Sequence, residues 1–240
     1  MVSRIKLKKS AKETVGNNKG LCAVSAAIII YSIPFITYSV NNLFYLFRRQ
    51  AHIINYIYWI TLLVLSSGFM LSLAHAYISM TGRKETDLQT FFFGFEHIFK
   101  AIILNILVSV FVILWSFLLI VPGIVAFYRY KMAFYILAES PDLAPIDAIR
   151  ISKKMTNGRK LDLFLFDLSF IGWFLLTYIT FGIAGLYVLP YYYSASALIY
   201  KELKMDYVDK RSKYEQTNNS GNDYRSDKER FNHAWENNHQ

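Results

Sequence analysis

Between Leu21 and Phe47 the chain carries no charged residue, and further apolar stretches of similar length follow it. About 20 consecutive apolar residues in a helix cross the hydrocarbon core of a bilayer. A helix is suited to this because it satisfies its own backbone hydrogen bonds where no water can. The apolar stretches predict spans at about 21–40, 54–80, 101–121, 124–138, 161–180 and 181–200. The expected fold class is therefore all-α, a polytopic membrane helix bundle of about six transmembrane helices. Only 18% of the 240 residues are charged, against about a quarter in a soluble domain. The charges are concentrated at the two ends and in a few connecting segments.

Residues 1–20 hold Arg4, Lys6, Lys8, Lys9, Lys12 and Lys19 against one acid, Glu13. A secretory h-region is about 7–15 residues long, so the longer run after residue 20 reads as an uncleaved first membrane helix. Lys and Arg near membrane helices favour the cytoplasm, which puts residues 1–20 inside. The stretch 124–138 is short and holds Arg129 and Lys131, but it is needed as a crossing. With three crossings the basic segment Arg150–Lys160 would lie outside; a fourth returns it to the cytoplasm. Residues 201 onward then also lie inside, giving an N-in/C-in topology. Arg48 and Arg49, in the first outer loop, run against the rule. The polar stretch 205–240 is expected to be largely disordered.

Several local features refine this plan. Gly68, Ser72 and Ala76 form a stripe of small residues in the second span, suited to close helix packing. The aromatic piece Phe91–Lys100 reads as interfacial rather than spanning. Pro122 and Gly123 are expected to end the third span, and Pro190 to kink the last; these are the helix-break positions. Gly172, beside Trp173, is expected to admit a neighbouring helix.

Ionisable residues inside a membrane are costly and therefore informative. Arg129 and Lys131 lie roughly 9–12 Å from the outer end of their helix, and Asp167 roughly 9 Å from the inner end of the next. If those helices are neighbours, a cationic side chain reaches Asp167, giving a polar site within the bundle. The alternatives are that Arg129 snorkels to the outer headgroups and that the pair is purely structural. Residues 145–157 predict a basic amphipathic helix on the cytoplasmic leaflet, with Asp142 and Pro145 at its start and Gly158 at its stop. Ile146, Ile149 and Met155 are expected on its apolar face. Arg150, Lys153, Lys154, Arg159 and Lys160 are the expected lipid-surface contacts, attracted to anionic headgroups on the cytoplasmic side.

Other functions are disfavoured by what the sequence holds. The single cysteine, Cys22, allows no intrachain disulfide. The five histidines, His52, His75, His97, His233 and His239, show no ligand pair, so no metal site and no cofactor are expected. No nucleophile elbow or phosphate-binding loop occurs. The net charge of +9 is explained by positive-inside anchoring, and no nucleic-acid partner is expected.

The run from Leu114 to Tyr200 resembles the bacterial domain-of-unknown-function family 975. The resemblance rests on Pro122-Gly123, Tyr130, Ala133 and Ala138-Glu139. It rests also on Asp147–Lys160, Phe170-Ile171-Gly172-Trp173 and Leu189-Pro190-Tyr191. It implies a multi-pass protein of the cytoplasmic membrane of Gram-positive-type bacteria, and it implies no activity. The expected function is that of a non-enzymatic accessory protein in envelope maintenance, export or self-protection. It would act through lipids, a membrane-protein partner or a second copy of the chain. The alternative is a small transporter or permease using Arg129, Lys131 and Asp167.

Overall fold

The computed structural model describes residues 4–20, 22, 23, 25–27, 51–82 and 88–217. Its helices are α1 (Arg4–Asn17), α2 (Ala51–Thr81), α3 (Phe93–Glu96), α4 (Ile98–Leu118), α5 (Ile120–Tyr130) and α6 (Ala133–Glu139). They continue with α7 (Pro145–Met155), α8 (Lys160–Leu168), α9 (Ile171–Ile179) and α10 (Gly185–Thr217). A 3-10 turn at Leu88–Phe92 precedes α3, and no strand occurs among the described residues. Of the expected first span, only 22, 23 and 25–27 are described. These are helical, and Ser25 Oγ lies 2.9 Å from Tyr77 Oη of α2. Arg48, Arg49 and the chain from residue 218 lie outside the described residues.

Among the described residues, four stretches are long and apolar enough to cross a membrane: Trp59–Thr81, Ile98–Leu118, Ile120–Glu139 and Lys160–Ile179. They correspond to the second to fifth expected spans. The expected sixth, 181–200, is not among them. Its segment of α10 carries Tyr187, Tyr191, Tyr192, Tyr193, Ser194 and Ser196. Val188, Ala195, Ala197 and Tyr200 are buried there. Small and hydroxyl-bearing residues suit a helix enclosed by other helices rather than by lipid. α9 is the opposite case, with no buried residue at all.

The hairpin between α4 and α5 corrects one expected break. The chain leaves helical geometry at Leu119 (φ −164°, ψ 148°), three residues before Pro122. Pro122 and Gly123 sit in the first turn of α5, where proline is tolerated because its missing N–H has no intrahelical partner. Gly123 instead permits close approach: a Cβ there would lie 2.8 Å from Ser116 Cα and overlap Ser116 Oγ. α10 runs without interruption through Pro190, so the helix does not end at that residue. It falls early in the helix, and the reversal before it is made by Phe181 (φ 50°) and Gly182 (φ 92°).

Three other expectations meet the structure differently. The polar segment from 205 is helical as far as Thr217, because Leu203 is buried and Tyr207 packs on the core. Gly172 meets nothing within 4 Å among the described residues. The small-residue stripe of α2 packs closely as expected, receiving the short α3, with Ile98 of α4 also against Gly68. Gly94 N–H donates to Ser72 Oγ at 2.9 Å, and Phe93 stacks on His75 with ring centroids 3.9 Å apart.

α6 forms the centre, with every residue from Ala133 to Ala138 buried, packed on α2 and α7. α7 forms where expected, with Pro145 in its first turn and Gly158 at φ 78° just past its end. Its buried face is Ala148, Ile149, Ser152 and Met155. Ile146 is exposed rather than on that face, because the helix turns its 148/152/155 edge toward the bundle. α1 lies along α10 and buries Ala11 and Val15.

Candidate functional site: a paired lysine and aspartate beside an apolar cavity

Lys131 lies at the junction of α5 and α6, where two turn residues separate the helices. Its ammonium donates to both carboxylate oxygens of Asp167 on α8, at 2.6 and 2.7 Å. Tyr192 of α10 donates to Asp167 Oδ1 at 3.0 Å. The ammonium also faces the rings of Tyr128, Phe166 and Tyr192 at 5.4–5.6 Å from their centroids. Such faces attract a cation through the ring quadrupole. The pair is largely enclosed, with side-chain exposures of 10% and 20%. Each charge thus has a counter-charge, and the carboxylate has a neutral donor as well, which is the condition for tolerating buried ions.

Lys131 also borders a cavity of about 440 Å³ between α2, α4, α5, α6 and α10. Most of its wall is aliphatic or aromatic, including Val108, Val112, Phe134 and Tyr135. Met70, Ile113 and Phe127 on its border are exposed. Asn105, one of its few polar groups, donates to Ser67 Oγ at 2.8 Å and so ties α4 to α2.

Arg129 does not join this site. Its backbone carbonyl accepts from Ser152 Oγ at 2.9 Å and Thr156 Oγ1 at 3.3 Å, which fixes it against α7. Its guanidinium lies within electrostatic reach of Lys160 instead, as does Lys153. Arg129 and Lys131 are two positions apart, about 200° of helical rotation, so the two cannot share a partner.

The expected lipid contacts divide. Arg150 is exposed and bonds Asp147 one turn away at 3.1 Å; Lys153 and Lys154 are exposed. Arg159 turns inward and pairs with Asp162, Glu202 and Asp206, each at 3.0 Å. Burial works against its charge, but the hydrogen bond and charge of Glu202, with Asp162 and Asp206, hold its pKa above the usual arginine value. It clamps α8 to α10.

A second clamp escaped sequence reasoning. Glu139, at the end of α6, accepts from Lys204 Nζ at 2.6 Å and from Tyr200 Oη at 2.5 Å. Burial pushes the Lys204 ammonium below its usual pKa, while Glu139 pulls it back up. Glu139 and Lys204 both flank apolar runs, which was the available signal; their separation in sequence hid the pairing.

Residues 118–206 match the family described as Protein of unknown function (DUF975). Over that region the chain is similar to the family. The matched region runs from the end of α4 into α10. It therefore contains Lys131, Asp167 and Tyr192, both clamps and Arg129 with its cationic neighbours. No curated protein and no solved structure matches the chain.

Proposed function

We propose that the protein is a non-enzymatic accessory component of the bacterial cytoplasmic membrane, crossing it about six times with both ends inside. On this reading it serves envelope maintenance, export or self-protection through contacts with lipids, a partner protein or a second copy of the chain. The cavity beside Lys131 takes an apolar chain such as a lipid tail. The observation that carries this is the pairing of charge with apolar wall. The ammonium is already bound to both Asp167 oxygens, so the space it borders offers mainly aliphatic and aromatic surface. Apolar pockets with few polar groups favour apolar ligands.

The test is native mass spectrometry of the protein purified gently from its own membranes. Wild type should retain a lipid or a stoichiometric partner. Ser109→Trp places a large ring at an exposed position on the cavity wall. It should displace at least half of the retained lipid while leaving elution and melting unchanged. Full lipid retention in that variant would refute the cavity as the binding place.

One feature favours the second reading, a small transporter or permease: Lys131 itself borders the cavity. Under that reading the charges act in transport, and removing both together destroys function even where the fold survives.

A further inference from the structure

We propose that Arg129, Lys153 and Lys160 form a binding site for a phosphate group carrying two negative charges, distinct from the apolar cavity. Arg129 is pinned on α7 by the hydroxyls of Ser152 and Thr156, which both bond its carbonyl. Its Nε is buried and finds no hydrogen-bond partner among the described residues. Lys153, in the last turn of α7, and Lys160, the first residue of α8, lie within electrostatic reach of each other, and Arg129 within reach of Lys160.

No carboxylate among the described residues pairs with any of the three. The contrast with their neighbours is sharp. Arg150 has Asp147, and Arg159 has three acids. Three cations gathered without a counter-charge repel one another, and a buried donor without an acceptor costs free energy. One polyvalent anion removes both costs. A guanidinium and two ammonium groups are the donors that phosphate oxygens take. α8 begins at Lys160 with no side-chain cap, so the positive end of its dipole adds to the same place. None of the three lines the cavity. The phosphate group can come from a lipid headgroup or from free phosphate. The adjacent Leu161 and Phe164 are exposed and offer surface for acyl chains in the first case.

The test titrates the purified full chain, in uncharged detergent, with inorganic phosphate and separately with dioctanoyl phosphatidic acid. Dioctanoyl phosphatidylcholine is the blank. Saturable binding should appear and weaken about tenfold in Arg129→Gln and in Lys160→Gln. It should be unchanged in Arg150→Gln, which removes the same charge from the exposed side of α7. Saturation by both probes supports a site for the phosphate group itself; saturation by the lipid alone supports a headgroup site. Absence of saturation by either probe, or an equal loss in Arg150→Gln, overturns the proposal. Should Arg129→Gln not fold, Lys153→Gln combined with Lys160→Gln makes the same comparison. Loss of cavity lipid in Ser109→Trp leaves this outcome untouched, so the two readings fail separately.

Discussion

Asp167→Asn is expected to lower the stability of the folded protein by about 3–5 kcal/mol. The change is nearly isosteric, so packing around Phe166 and Tyr192 is preserved. What is lost is the counter-charge. Lys131 is 10% exposed, and its ammonium would keep its ring neighbours but lose both strong acceptors. Thermal melting of the detergent-solubilised protein reads the effect. Adding Lys131→Met should restore most of the lost stability, since a buried ion pair is often replaced by apolar residues at little net cost. The double variant then separates the two functional readings. If the pair is structural, Asp167→Asn fails and the double variant regains the ability to complement a deletion strain. If the charges act in transport, the double variant melts normally and complements nothing. An Asp167→Asn protein that melts like wild type would show that the pair contributes no stability.

Gly94→Ala is expected to cost about 3 kcal/mol, the upper range for overpacking. A Cβ at Gly94 overlaps Gly68 O and lies 2.7 Å from Ser72 N. Both are backbone atoms of α2, so no side chain can swing aside. Relief requires α3 to lift from α2, which also breaks the bond from Gly94 N–H to Ser72 Oγ and unstacks Phe93 from His75. Gly16→Ala is the control, because Gly16 lies in α1 with nothing among the described residues within 4 Å of the added carbon. There alanine should be neutral or slightly stabilising. Equal melting temperatures for the Gly94 and Gly16 variants would mean that α3 does not seat on α2 in this way.

The candidate site was half legible in the sequence. Charges inside apolar helices must find partners, so Lys131, Arg129 and Asp167 stood out at once. Which cation would reach Asp167 was not legible, because it depends on how α5 is rotated against α8. The rotation turns Lys131 toward Asp167 of α8, while the Arg129 carbonyl is held by Ser152 and Thr156 of α7. Arg159 shows the same limit. Its segment reads as basic and surface-bound, yet two of its three acids come from α10, more than 40 residues away.

By itself the sequence determined the class of the protein and several helix ends. Long uncharged runs allow helices in lipid and little else, and Pro145 and Gly158 act through local backbone geometry, so α7 appears where they place it. Tertiary structure alone decided the break at Leu119, the seat of α3 on the small-residue stripe, the partners of Lys131 and Lys204 and two of the three acids on Arg159, and the helical course of 205–217. Helices that are apolar on all sides carry no stripe to show which face meets which neighbour. Their relative rotation comes from close backbone approaches at Gly94 and Gly123 and from the few polar groups that must be satisfied inside the bundle.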